Sequence, residues 1–331
     1  MPPNRSYLLR SIVRLAVLLA VLAVAVGAMF NRQFIVDQLT VWQFKPSSEI
    51  VAIASRAQLT DKGKFYFYAS RPTVDARSAF NTHCKQLVEK TAILGCYANR
   101  QIHVFDVADA RLDGIREVTA AHEMLHAAYD RLSATERVRV DRLIEEQSRG
   151  IADQKLKDRL ALYDQTEPGE RLNELHSILG TEITSLSDEL EDYYSRYFAD
   201  RGRLVALSNQ YETVFQQLED QQKNLVAELN ELADHVDAAS KNYESTLDVL
   251  QRDITAFNRR ADAGEFVSQS AFNAERAGLL ARQSALQRQR TEINDMIARY
   301  NQKKSELDAL NTTAEGLQRS IDSKLPEAPS L

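Results

Sequence analysis

Residues 120–130 read A-A-H-E-M-L-H-A-A-Y-D, and His122, Glu123 and His126 within them form the pattern H-E-x-x-H. Imidazoles four residues apart lie one turn from each other on the same helix face, so both can reach one metal ion. Glu123 is turned about a hundred degrees from His122. It is too far round to ligate comfortably, yet close enough to polarise a water on that ion. The chemistry needs this division of labour. Two neutral imidazoles hold Zn2+, the ion lowers the pKa of its water, and the carboxylate takes the proton and passes it on. Small or apolar residues at Ile115, Val118, Ala121, Leu125, Ala128, Tyr129 and Leu132 recur at helical spacing, and Asp113 stands where an N-cap is expected.

The chain has 331 residues, room for two or three units, and is 44% hydrophobic. Only 11 glycines and 7 prolines, against 27% charged residues, favour long helices over a many-turned β architecture. The net charge of −6 and the lack of a dense basic face exclude nucleic-acid binding as the main role. Residues 15–30 are apolar throughout and follow Arg5, Arg10 and Arg14 with no acid among them. This predicts an N-terminal transmembrane helix, residues 1–33, with its basic flank cytoplasmic and the bulk of the chain exported to a bacterial periplasm or cell surface. Ala23-Val24-Ala25 supports a cleaved signal peptide as the alternative. Cys84 and Cys96 are the only cysteines and are expected to pair in an oxidising compartment; two buried free thiols are the other reading.

After a juxtamembrane segment, residues 34–48, the sequence predicts an α+β unit over 49–202. Residues 50–54 and the aromatic 64–70 (K-F-Y-F-Y-A-S) read as strands, 73–90 as a helix, and 95–107 as one strand or a tight hairpin. An edge strand near residues 101–105 is expected to pair with an extended peptide substrate. His103 there reads as structural.

A catalytic zinc site needs a third protein ligand and an open position. Beyond the Pro168-Gly169 break, the next helical stretch offers Glu174, His176 and Glu182. H-E-x-x-H followed by a helix carrying N-E-x-x-S (Asn173 to Ser177) resembles the gluzincin metallopeptidases. That resemblance implies His122 and His126 as zinc ligands, Glu123 as general base and Glu174 as third ligand, with Glu182 and then His176 behind it. It departs at Ile178, where thermolysin-like members carry an aspartate that orients a zinc-bound histidine; Glu182 is then a candidate for that hydrogen bond. Tyr193, Tyr194 and Tyr197 are candidate oxyanion stabilisers, with aromatic packing as the plainer role.

From 203 to 325 the pattern is heptad. One line runs Leu204, Tyr211, Leu218, Leu225, Leu232 and Ala239, and its companion passes from Leu207 and Val214 to a shifted Val236, Tyr243, Leu250 and Phe257. The shift predicts a discontinuity. Residues 261–266 break the helix, and a second line follows from Phe272 to Ile321. An antiparallel coiled-coil hairpin with arms of roughly 80 Å accounts for both lines. Residues 326–331 read as a disordered tail. The sequence thus predicts a zincin-like metallopeptidase unit, anchored in a membrane, that hydrolyses an unknown peptide or protein. Its hairpin would bind an envelope partner, self-associate or act as a spacer. An amidase for cell-wall peptides fits the same residues. A non-catalytic envelope scaffold, with a structural metal or none, is the alternative from another class.

Overall fold

Serine and threonine caps set the first boundaries in the computed structural model, which describes residues 5–84, 93–151, 154–166 and 169–324. The apolar run lies in helix α1 (Arg5–Phe30), and α2 (Arg32–Gln43) follows after a break at Asn31. Among the described residues no single helix is long and apolar enough to cross a membrane; the pair Arg14–Phe30 and Arg32–Gln43, bent by 74°, qualifies by length and composition.

Ser47 accepts a hydrogen bond from the Ile50 amide and starts α3 (Ser48–Arg56), and Thr60 does the same for Gly63 at the head of α4 (Asp61–Ala69). Both stretches expected to be strands are therefore helices. Ile50, Ile53 and Ala54 are buried at helical spacing, while the F-Y-F-Y alternation of residues 65–68 only imitates a period of two. The expected helix over 73–90 gives a strand, β1 (Thr73–Asp75), and a shorter helix, α5 (Arg77–His83); residues 85–90 lie outside the described residues.

β2 (Gly95–Ala98) and β3 (Gln101–Phe105) form the hairpin that residues 95–107 suggested. Asn99 and Arg100 both have positive φ (51° and 61°), as a two-residue turn with the twist of its strands requires. The sheet order is β1-β3-β2, with β1 parallel and β2 antiparallel to β3. Residues 101–105 are thus the central strand, bonded on both sides. They cannot take a substrate strand; among the described strands β1 and β2 hold the edges instead.

Helix α6 (Ile115–Asp130) begins after Gly114, whose φ of 94° suits glycine, while the expected cap, Asp113, pairs with Arg56 at 2.8 Å. There follow α7 (Ala134–Arg149) with a Ser133–Glu136 capping box, α8 (Gln154–Thr166), α9 (Arg171–Thr181) and α10 (Asp188–Tyr194). Met124 and Leu125 of α6, Ile102 and Val104 of β3, and Leu175, Ile178 and Leu179 of α9 share one core. At Gly180 a Cβ would come within 2.4 Å of Leu125 Cδ1, so glycine lets α9 close on α6. Asp37 of α2 makes a buried two-pronged ion pair with Arg131, at the end of α6 (2.9 Å each).

Two long helices complete the chain, α11 (Arg201–Asp262) and α12 (Gln269–Ile321). The chain divides into one unit of residues up to Val214 plus those from Gln318, and a second of Phe215–Leu317. Within the second, Gln222 bonds Asn311, Glu228 pairs with Lys303, Asp253 with Arg282 and Arg260 with Glu275. As numbers rise on one arm their partners' fall on the other, so the arms are antiparallel. Phe257, Phe266 and Phe272 cluster where the chain reverses. The anticipated phase shift is absent. The companion line runs unbroken through Phe215, Gln222, Leu229, Val236, Tyr243, Leu250 and Phe257, and its polar member Gln222 is satisfied by Asn311. The expected tail lies outside the described residues.

Candidate metal centre

Helices α6 and α9 bring His122, His126 and Glu174 together, one donor atom from each lying within 4.8 Å of the others. The two imidazoles meet edge to face, ring centres 4.8 Å apart, as a one-turn spacing dictates. Glu174 Oε1 lies 3.3 Å from His126 Nε2, and Oε2 lies 3.5 Å from His122 Nε2. A charge-assisted hydrogen bond would be about 2.7–2.9 Å. Donors bound at about 2.0–2.1 Å around a tetrahedral ion stand roughly 3.3 Å apart, close to the two distances from the Glu174 carboxylate to the imidazoles. Glu174 Oε2 is also buried without a hydrogen-bond partner, an acceptor set where a cation would satisfy it. The donor set therefore fits a metal ion.

Asn173 fixes the orientation of His126. Its Nδ2 donates to Glu170 Oε2 (3.0 Å), which turns Oδ1 toward the ring, and His126 Nδ1–H donates to that oxygen (3.0 Å). Nε2 is thereby left facing Glu174. The orienting role that the sequence offered to Glu182 falls to Asn173. Glu182 sits at the end of α9 and pairs with Arg159 at 2.7 Å, so it is neither third ligand nor orienting group. Ile178, in place of an aspartate, is core.

Electrostatics couple the triad. Burial disfavours a charged ring at His126, but the Glu174 carboxylate, with help from Glu123 and Asn173, outweighs it and raises the pKa to about 10. Glu174 is buried too, which alone would raise its pKa; His126 and His122 reverse that and hold it well below the usual carboxylate range.

Glu123 is buried beside β2. A Cβ on Gly95 would stand 2.7 Å from Glu123 Oε1 and 2.6 Å from Thr119 Cγ2, so only glycine lets the edge strand pass this close to the carboxylate. Sequence reading missed Gly95 and Asn173. The asparagine at least adjoins Glu174 in the N-E pair; nothing in the sequence marks the glycine.

His176 is fully buried, its Nε2 bonded to Tyr193 Oη (2.8 Å) and its ring among Tyr129, Tyr193 and Tyr194. Desolvation, then the charges of His126 and His122, push its pKa well down. It is a core histidine, not a ligand. Tyr194 Oη donates to the His176 carbonyl (2.6 Å), and Tyr193 and Tyr197 meet edge to face in the same cluster (5.6 Å). All three tyrosines are buried in this aromatic cluster. Cys84 and Cys96 form a disulfide.

No known protein family matches this chain, no curated protein is similar to it, and no solved structure matches it.

Proposed function

We propose that this chain is a zinc-dependent peptide hydrolase of the gluzincin kind, tethered to a membrane by α1 and working on the extracytoplasmic side. The spacing of the His122, His126 and Glu174 donors, with Glu174 Oε2 otherwise unpartnered, carries the reading. Among the described residues these are the three donors at the site, which leaves a coordination position for water and substrate. A bound ion supplies Lewis acidity and lowers the pKa of water. Glu123, beside that position, would accept a proton from the attacking water and return it to the leaving amine. Asn173 keeps His126 in the tautomer that presents Nε2. β2 is paired on one side only among the described strands, and it runs past Glu123 at Gly95. An extended peptide added to this edge is held by main-chain hydrogen bonds beside the base. The disulfide and the exposed apolar side chains of residues 15–30 support export and anchoring.

The test uses full-length protein in detergent, loaded with zinc and given a peptide library. Wild type should cleave. Glu123→Gln should keep its zinc and lose about 10²- to 10⁴-fold in kcat/KM. Zinc-loaded wild type without hydrolysis, or Glu123→Gln at full rate, would return the molecule to the scaffold reading.

A further inference from the structure

The sheet carries a second set of metal-ligating side chains on the face turned away from α6. Along β3, Ile102 and Val104 enter the core shared with α6, while His103 and Phe105 point the other way, where Phe105 meets Phe80 of α5 at 5.5 Å. His103 is buried, and its Nδ1 lies 2.8 Å from Asp75 Oδ2 and 3.0 Å from Thr73 Oγ1, both on β1. Thr73 Oγ1 also donates to Asp75 Oδ2 (3.0 Å), which fixes the carboxylate. The exposed imidazole of His83, the last residue of α5, lies flat over His103 with ring centres 4.2 Å apart. One donor atom from each of Asp75, His83 and His103 falls within 4.8 Å of the others.

The disulfide explains why the two rings meet. Cys84 follows His83 in the chain, and Cys96 is the residue paired directly across from His103. The bond therefore ties the backbone beside one imidazole to the strand neighbour of the other. It holds the pair together before any ligand arrives, which lowers the ordering cost of binding.

We propose that Asp75, His83 and His103 form a second cation site, preorganised by the Cys84–Cys96 disulfide, for a divalent transition-metal ion such as Zn2+. Two imidazoles and one carboxylate suit that class, whereas Mg2+ and Ca2+ take oxygen ligands. A hydrogen bond to Asp75 alone would satisfy His103; it gives no reason for a second imidazole against it. His83 is exposed at a helix end, so its ring is free to turn an edge nitrogen toward an ion that would take the place of the proton now held between His103 Nδ1 and Asp75 Oδ2.

The experiment counts zinc on chelator-stripped, full-length protein titrated with ZnCl2, by elemental analysis after dialysis. Wild type should bind two equivalents. Glu174→Ala should lose one, His83→Ala the other, and the double variant both. Asp75→Asn provides an independent variant of the second site. Because His83 is exposed and loses only its stack on His103, His83→Ala should leave the stripped protein folded, as read by a cooperative thermal transition. Replacing both cysteines by serine removes the bridge without leaving thiol ligands, and should weaken the second equivalent by about 10- to 100-fold while sparing the first. One equivalent on wild type, or two retained by both His83→Ala and Asp75→Asn, overturns the proposal. Unchanged affinity in the double serine variant overturns the role of the disulfide.

Discussion

A methyl group at residue 95 would stand 2.7 Å from Glu123 Oε1, so the carboxylate or the edge strand would have to move. Displacing a reacting group by about 1 Å costs on the order of 10²-fold in rate. Gly95→Ala is therefore expected to lose about that much hydrolytic activity while zinc content, measured on the same sample, stays unchanged. The triad also sets a pH dependence. In chelator-treated protein the His126 pKa is raised from 6.5 to about 10, so the stability it contributes is full below pH 6.5 and is lost as pH rises toward 10. Tm measured from pH 6 to pH 10 should fall for wild type. Glu174→Gln, lacking the carboxylate that raises the ring, should show a flatter profile. A one-turn spacing made His122 and His126 legible in the sequence, and the resemblance to the gluzincin metallopeptidases singled out Glu174 among three candidates on the next helix. Glu182 misled, since its partner Arg159 comes from another helix and no local pattern announces it.

Helix α2 is joined to the end of α6 by a buried ion pair. Asp37 and Arg131 face each other with both side chains nearly inaccessible, and the guanidinium also bonds Tyr97 Oη (3.1 Å) and lies over the Tyr66 ring. Removing one member of such a pair leaves an uncompensated charge, at about 3–5 kcal/mol. Asp37→Ala is expected to destabilise the protein by that amount in chemical unfolding, and Asp37→Leu with Arg131→Met to recover most of it. The sequence marks this stretch only as a juxtamembrane segment, because a single aspartate gives no sign of a partner so far along the chain. The helices α3 and α4 were misread for a related reason. Short segments hold too few residues for periodicity to separate helix from strand, and Ser47 and Thr60 as caps were the better guide.

At the scale of the whole chain, heptad spacing made the hairpin readable from sequence alone, down to its turn. The companion line was misplaced near its start because Leu207 and Val214 were taken as its first members, whereas Phe215 and Gln222 carry it, the latter's amide meeting Asn311 on the opposite arm. His122, His126 and Glu174 belong to the first unit and the paired arms to the second. A chain in which a short flexible linker joins Val214 to Gln318 in place of residues 215–317 is expected to keep its zinc stoichiometry, as read by elemental analysis. The first unit is nonetheless discontinuous in sequence. Asn81 of α5 donates to the Ser323 carbonyl, and Arg77 to that of Arg319, so the strap across α5 comes from the far end of the polypeptide. A ribosome delivers His122, His126 and Glu174 long before it delivers that strap. The nascent head must wait for synthesis of both arms before α5 is fastened, and a truncated product ending within α12 would leave the cell's quality control a molecule with its first unit unfinished.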